Sequence, residues 1–565
     1  MVGAVDSVSQ RAYHCQRLEQ RRLGLGHQRD SRAFRRVATP AGVALAASLA
    51  LAGCMVGPDY QQPESAVSAT WYDGQDPAVI SDRQLDQAWW SVFADPTLNS
   101  LVELAYQQNP GVLEAGVRVL EARAQLGVAI GEFYPQQQAA TGELNYNRVS
   151  ERAPFTQPAS ASLFSFTQAS IGVGLSWELD FWGKFRRAIQ AADANFLASV
   201  ATYDDVLVTL TADVAATYVS IRTLQQRLTI AQENVRLQRE SLSIAQARFQ
   251  GGTTSERDVA QAETILASTE ATIPALSQQL QQAKNALSVL LGLPPSSLAD
   301  RLPGPESIPV APAEVVVGLP VDLLSRRPDV RRAELLAAAE SARIGFEKAE
   351  LYPAVSVTGN FGYLSSDWGQ FDLSDMFTGR ARTYAIGPAV QWNILNYGQI
   401  TNRIRAQDAR YQAAIFNYQA VVLSAQREVE DGLAQFLQSR TRAQALARSA
   451  AAAKRSFELS LLQYREGIVD FTTVLTAQQD LLQAQDNLVS AMGDIPQGLI
   501  LTYRAVGGGW QIREGQDFVP PAVQSIMAER TDWGNLLTPV NLLQPTVAGL
   551  PGAKNIGRTV RPPEW

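Results

Sequence analysis

The chain has 565 residues, a formal net charge of −7, two histidines and two cysteines, and 46% of its residues are hydrophobic. That length allows a large core, and the acidic balance disfavours a nucleic-acid partner.

Arg32, Arg35 and Arg36 precede the apolar run "VALAASLALAGC". The run is too short to span a membrane as a helix and reads as a secretory signal over residues 1–53. Its end, Leu51-Ala52-Gly53-Cys54, resembles the lipobox of bacterial lipoproteins, with Cys54 as the acylated first residue. His14, His27 and Cys15 all fall in the removed part. The mature chain is then expected to have no histidine, no internal disulfide and no cofactor beyond the covalent lipid. Zinc sites built on His or Cys and Ser-His or Cys-His nucleophiles are excluded, so no metal is expected. Scattered carboxylates without pairing argue against an enzyme. Losing the basic leader takes the net charge from −7 to about −12, further from a nucleic-acid binder.

Residues 54–97 read as a lipid-anchored linker, followed by two similar halves, 98–292 and 328–510, joined by a Pro/Gly-rich linker at 293–327. "GEFYPQQQA" (131–139) returns as "AELYPAVSV" (349–357), Trp177 as Trp392, Gly183 as Gly398, and Gly252 as Gly467. Each half predicts helix, strand pair, very long helix, tight turn and returning helix. In the first, a helix at about 98–131 precedes strands near 138–149 and 171–181; the earlier strand alternates poorly. In the second strand Ile171, Val173, Leu175, Trp177, Leu179 and Phe181 share one face, with small or acidic residues opposite. A helix of roughly 100 Å then runs from about 184 to 250. It ends at Gly251-Gly252, and Thr253 and Glu256 have capping-box spacing for a returning helix to about 292. In the second half a helix at about 328–350, strands near 355–363 and 384–394, a helix from 397 to 466, Gly467 and a helix from 470 to 492 repeat the order. The helices at 98–131 and 328–350 are expected to stack end to end on the returning helices. Residues 511–565 read as a partly disordered C-terminal tail.

Two-faced strands on a secreted lipoprotein suggest the wall of a transmembrane β-barrel. A sandwich sheet alternates identically, yet four strands interrupted by more than a hundred helical residues cannot bury a sandwich core. Nor can four strands close a barrel, and open edges are not tolerated in hydrocarbon. Two copies give eight strands and a filled interior; three give twelve and a lumen. A coiled-coil scaffold or adhesin is the competing class, and it leaves the Trp-rich strands without a purpose.

"VGPDY" after Cys54, "AWWSVFADPTLNSLVELAYQQNP" (88–110) and "LLSRRPDVRRAELLAAAESARIGFEKAELYPAVSVTGNFGY" (323–363) resemble the outer-membrane efflux lipoproteins of the OprM and NodT type, within the TolC-like outer-membrane factor family. The likeness spans about 54–510. It implies a homotrimer with a twelve-stranded transmembrane β-barrel, four strands per chain, continuous with a long periplasmic α-helical barrel. It also implies outer-membrane lipid around the barrel, a periplasmic adaptor (membrane fusion protein) and an inner-membrane pump of the resistance-nodulation-division class. The function implied is an exit channel for small molecules, with a TolC-like conduit for secreted protein as the alternative. On that pattern Tyr464, Asp258 and Asp470 stand at the periplasmic aperture, and Thr476-Ala477 stands where the family often has Asp-Ala. Gly251, Gly252, Arg257, Glu466 and Gly467 form the adaptor-facing tips. Trp177, Phe181 and Trp392 sit near the membrane interface.

Overall fold

The computed structural model describes residues 55–81, 83, 87–148, 165–295, 298, 301–302, 307–368 and 371–538. The expected signal, Cys54 and the last part of the tail lie outside the described residues.

The elements in chain order are β1 (Val79–Ile80), α1 (Pro96–Gln108), α2 (Pro110–Gly131), β2 (Gln137–Arg148), β3 (Ser165–Leu179), α3 (Lys184–Gln250), α4 (Glu256–Leu290), β4 (Val315–Val316), α5 (Pro328–Ala349), β5 (Ala354–Ser366), β6 (Arg382–Gln391), α6 (Gln399–Arg465), α7 (Phe471–Ala505) and α8 (Pro521–Arg530). Three helix pairs of the two halves match residue for residue in length. α2 and α5 have 22 residues each, α3 and α6 have 67, and α4 and α7 have 35. At 1.5 Å per residue the long pair measure about 100 Å and the returning pair about 52 Å.

The helix expected over 98–131 is two helices. Asn109 caps α2, its side chain accepting from the amides of Gly111 (2.8 Å) and Val112 (3.2 Å), and Pro110 fills the first helical position. The same side chain donates to the carbonyl of Leu290 at the end of α4 (2.8 Å), so α2 stacks on α4. In the second half Arg327, beside Pro328, donates to the carbonyl of Ala505 (2.6 Å), stacking α5 on α7. Arg327 also holds Asp329 (2.9 and 2.7 Å) and Glu428 (2.8 Å), which gives the "RRPDV" stretch a structural job. The returning helix expected to stop near 492 continues to Ala505. α3 packs against α2, α4, α5 and α7, and α6 against α5 and α7.

The N-terminal segment is an extended strap. Arg187, nearly fully buried on α3, donates to the carbonyls of Val56 (3.1 Å) and Gly57 (3.3 Å) and to Asp59 (3.1 Å). Gly57 crosses Gly345 so closely that a Cβ on Gly57 would lie 2.4 Å from the Gly345 Cα. Further on, the Ser68 and Tyr72 amides donate to Gln426 and Glu430 of α6, both at 2.9 Å. The Trp71 indole donates to Gly318 (2.8 Å), and β1 pairs in parallel with β4.

The tail departs from expectation as far as residue 538. Arg513 donates to both oxygens of the buried Asp204 of α3, and Phe518 meets Tyr203 edge-on at 5.2 Å. Leu120 of α2 clusters with Val519 and with Met527 of α8. Burial pushes the Asp204 carboxyl up, while Arg513 and Arg331 oppose that rise.

Beneath the strap, Glu334 of α5 is buried near Tyr60 of the strap and Tyr418 of α6. Burial pushes its carboxyl up to about 7 from 4.5, against the opposing charge of Arg331. A raised carboxyl is protonated in the folded chain while the unfolded chain ionises. Its contribution is therefore complete below about pH 4.5 and lost as pH climbs towards 7. Glu334→Gln should flatten the fall in melting temperature between pH 5 and 8 and stabilise the protein at pH 8 by about 1–3 kcal/mol. Thermal melts of the detergent-solubilised protein check this, and an unchanged pH slope would contradict it.

Candidate functional site

The sheet and the helical tips lie at opposite ends of the long helices. The four large strands are antiparallel in the order β2-β3-β5-β6. Their register collects the apolar positions. Val173 pairs with Phe361, and Phe361 with Tyr384; Gly359 pairs with Ile386, and Val355 with Val390. Directly paired residues share a face. One face therefore carries Leu144, Tyr146, Ile171, Val173, Leu175, Phe361, Tyr384, Ile386 and Val390, all exposed. The other carries Thr141, Glu143, Ser170, Ser176, Thr358, Asn360 and Gln391. β2, whose own sequence alternates poorly, is fixed by pairing along its whole length with residues 165–176 of β3. The outer edges of β2 and β6 are unpaired among the described strands.

β3 starts earlier than expected and stops at Leu179, so a turn at Asp180–Gly183 separates strand from α3 and Phe181 lies off the strand, half-buried. Trp392 follows the last residue of β6. The two expected interface tryptophans do equivalent work. The Trp177 indole donates to the carbonyl of Phe133 (3.1 Å) and that of Trp392 to Leu351 (3.0 Å), each at the end of the helix entering the sheet. Trp182, stacked on Tyr352 at 4.7 Å, donates to Pro353 (2.8 Å). Sheet and helices are thus tied at three points.

At the other end, Gly252 (φ 71°) and Gly467 (φ 77°) adopt left-handed conformations that close the long helices. The amides of Thr253 and Ile468 bond back to Arg248 (2.9 Å) and Gln463 (2.8 Å), the Schellman closure. The expected capping box does not form. Thr253 bonds back to Arg248, Ser255 is the cap of α4, and Asp258 accepts from the hydroxyls of Thr254 and Ser255. The cause is the tight closure, which turns the Thr253 hydroxyl onto the outgoing helix. Asp470 caps α7 through the Thr473 amide (3.1 Å) and hydroxyl (2.9 Å). Gly251, Arg257 and Glu466 are exposed.

Tyr464 is only 2% exposed and meets Phe471 edge-on at 5.3 Å within a cluster including Phe457, Val474 and Leu481. Its buried hydroxyl has no hydrogen-bond partner among the described residues. The sequence reading missed Arg248, whose guanidinium lies 4.5 Å from the Tyr464 ring and donates to the Tyr464 carbonyl. A basic residue in the last turn of a helix was the available signal. Arg465 and Glu240 add a second tie between the long helices at 2.5 Å. Ile468, 71% exposed at the tip, was also missed.

Among the described residues no cluster of His, Cys, Asp and Glu could hold a metal, and no helix is long and apolar enough to cross a membrane.

Residues 101–293 and 319–508, more than half of the chain, match the outer membrane efflux protein family. The chain belongs to that family. The probable efflux pump outer membrane protein TtgC of Pseudomonas putida is 30% identical over 472 residues, covering 82% of this chain and 95% of that protein. Nodulation protein T of Rhizobium leguminosarum bv. trifolii is 28% identical over 82% of this chain and 96% of its own length. Among solved structures, the OprN outer-membrane channel matches with a TM-score of 0.75 and 30% identity, over 81% of this chain and all of that one. The open-state MtrE channel of Neisseria gonorrhoeae matches with 0.68 and 27%, over 81% and 99%. The matched segments overlap the two halves, and the outer membrane efflux family displaces the coiled-coil scaffold or adhesin reading.

The packing of Tyr464 separates two roles. If the ring is what matters, Tyr464→Phe retains wild-type stability and conductance, because the lost hydroxyl has no partner. Tyr464→Ala should cost about 3–5 kcal/mol at the tip. Thermal melts with single-channel recordings check both variants; altered gating in Tyr464→Phe would show that the hydroxyl acts outside the subunit.

Proposed function

We propose that three copies of this chain form the exit duct of a tripartite efflux system in the outer membrane. The carrying observation is the sheet: four strands, one continuous apolar face, one polar face and two unpaired edges, in a chain of the outer membrane efflux family. Three sheets would make a twelve-stranded barrel with lipid outside and water inside. The long helices would continue that wall through the periplasm. No bond is made or broken; small molecules received from a periplasmic adaptor and an inner-membrane pump, of the resistance-nodulation-division class, would pass through.

Acylation of Cys54 fits the seating of its neighbours. Met55 touches Gly183, and the Val56 amide donates to the carbonyl of Trp182 (3.0 Å), at the boundary of sheet and helix. A lipid on the preceding residue would enter the membrane where Trp177 and Trp392 stand at the interface. At rest the duct would be closed near the tips, with Asp258, Asp470 and Tyr464 around the aperture. Asp258 and Asp470 would have to keep their local hydroxyl and amide partners while lining it.

Docking by the adaptor would use Gly251, Gly252 and Gly467, which carry no side chain to obstruct approach, with the exposed Arg257 and Glu466 beside them. Gly252→Val and Gly467→Val force a β-branched residue to positive φ at a cost of about 1–2 kcal/mol. Both should still assemble, yet lose most in vivo cross-linking to the adaptor; unchanged cross-linking would remove the tips from the interface. The function itself is tested in a strain lacking its own outer-membrane exit protein but carrying a cognate adaptor and pump. The chain should restore resistance to pump substrates, and Cys54→Ser should reduce its membrane retention. Failure to restore resistance with every cognate pair would refute the proposal.

A further inference from the structure

The apolar face of the sheet carries two charged residues among those described, and both are arginines at one end. Arg148 closes β2 and Arg382 opens β6, the two edge strands. Parity puts Arg148 with Leu144 and Tyr146, and pairing with Tyr363 puts Arg382 with Phe361 and Tyr384. Both are exposed, and neither bonds to another described residue. The neighbouring loop acids Asp367 and Asp372 accept the Thr167 and Ser374 amides at 2.5 and 2.7 Å, and Asp375 lies in the same loop.

The register gives their height. Gln137 pairs with Ser176, Ser176 with Thr358, and Thr358 with Gly387, four residues before the end of β6 at Gln391. Four residues of about 3.3 Å across three spacings of about 4.8 Å correspond to a strand tilt of about 40° when the strand ends near the helices are level, a normal barrel value. Arg148 then stands about 28 Å and Arg382 about 23 Å above that level, bracketing an apolar band of about 25 Å. Trp177 and Trp392 mark one border, and the two arginines the other. Closing the ring brings β6 of one copy beside β2 of the next. Two guanidinium groups, about 5 Å apart in height, would then meet across each seam at the outer interface. Like charges so placed repel unless an anion lies between them.

We propose that each seam binds the phosphate of an anionic outer-leaflet lipid headgroup, gripped by Arg382 of one copy and Arg148 of the next. This inference rests on the trimeric channel reading. Arginine suits the task because its planar fork grips phosphate in a bidentate manner. The apolar band directly beneath favours a lipid over free phosphate, since acyl chains would lie against Tyr146, Phe361 and Tyr384.

The test is native mass spectrometry of the detergent-solubilised protein titrated with a bis-phosphorylated, multiply acylated glucosamine disaccharide, with its dephosphorylated form and inorganic phosphate as separate arms. Wild type should retain the phosphorylated lipid, and the R148Q/R382Q double variant should bind it at least tenfold more weakly while remaining trimeric. Should that variant fail to assemble, R148K/R382K, which keeps charge but loses the fork, should bind it several-fold more weakly. Equal binding by variant and wild type, equal binding of the dephosphorylated lipid, or full competition by equimolar inorganic phosphate would overturn the proposal. A wild-type chain that runs as a monomer would overturn the channel reading and this proposal with it.

Discussion

A strand edge cannot stand open in hydrocarbon, and this chain carries two such edges on an apolar-faced sheet. Each unpaired amide or carbonyl there costs several kcal/mol, with no water to compensate. The architecture follows from that constraint. Four strands are too few to close, so on the proposed channel reading the partner for β6 is another copy's β2. The helices that separate the two hairpins in sequence would then surround the same axis, and barrel and periplasmic wall would become one tube.

The tube needs rigid joints where one kind of wall meets another. At the sheet–helix junction, Trp177 and Trp392 hook the ends of β3 and β6 onto the helices that enter the sheet, and Trp182 adds a third tie. Midway, Asn109 and Arg327 join short helices end to end by donating to terminal carbonyls, which are the groups a helix end leaves unsatisfied. The strap from Met55 to Ile80 links the sheet–helix boundary to the small β1–β4 sheet, with Arg187 and α6 holding it on the way. At the tips, Arg248 couples the end of α3 to the end of α6, so the two long helices end as one packed unit.

Elements dominated by strong local signals were legible in the sequence. The long helices lack proline and end at glycine, and both appear with their turns where expected. The strands of the second half and β3 followed from period-two alternation. What was hidden depended on distant partners. β2 forms although its pattern is weak, because β3 supplies a complete hydrogen-bonding template. α8 has little amphipathic pattern, yet it docks on α2 because Arg513 pairs with Asp204 and Phe518 seats on Tyr203. Asn109-Pro110 looked like mid-helix sequence and is a joint, because its carbonyl partner lies 181 residues away. At the tips, the burial of Tyr464 and its contact with Arg248 needed the fold.

The most direct measurement is the copy number and connectivity of the detergent-solubilised particle. Cysteines introduced singly into β2 and β6, at Thr141 and Ala389 on the polar face, should cross-link only between copies when the two variants are co-expressed. The particle mass should correspond to three chains. A monomeric particle, or a disulfide formed within one chain carrying both cysteines, would contradict a barrel closed by shared edges.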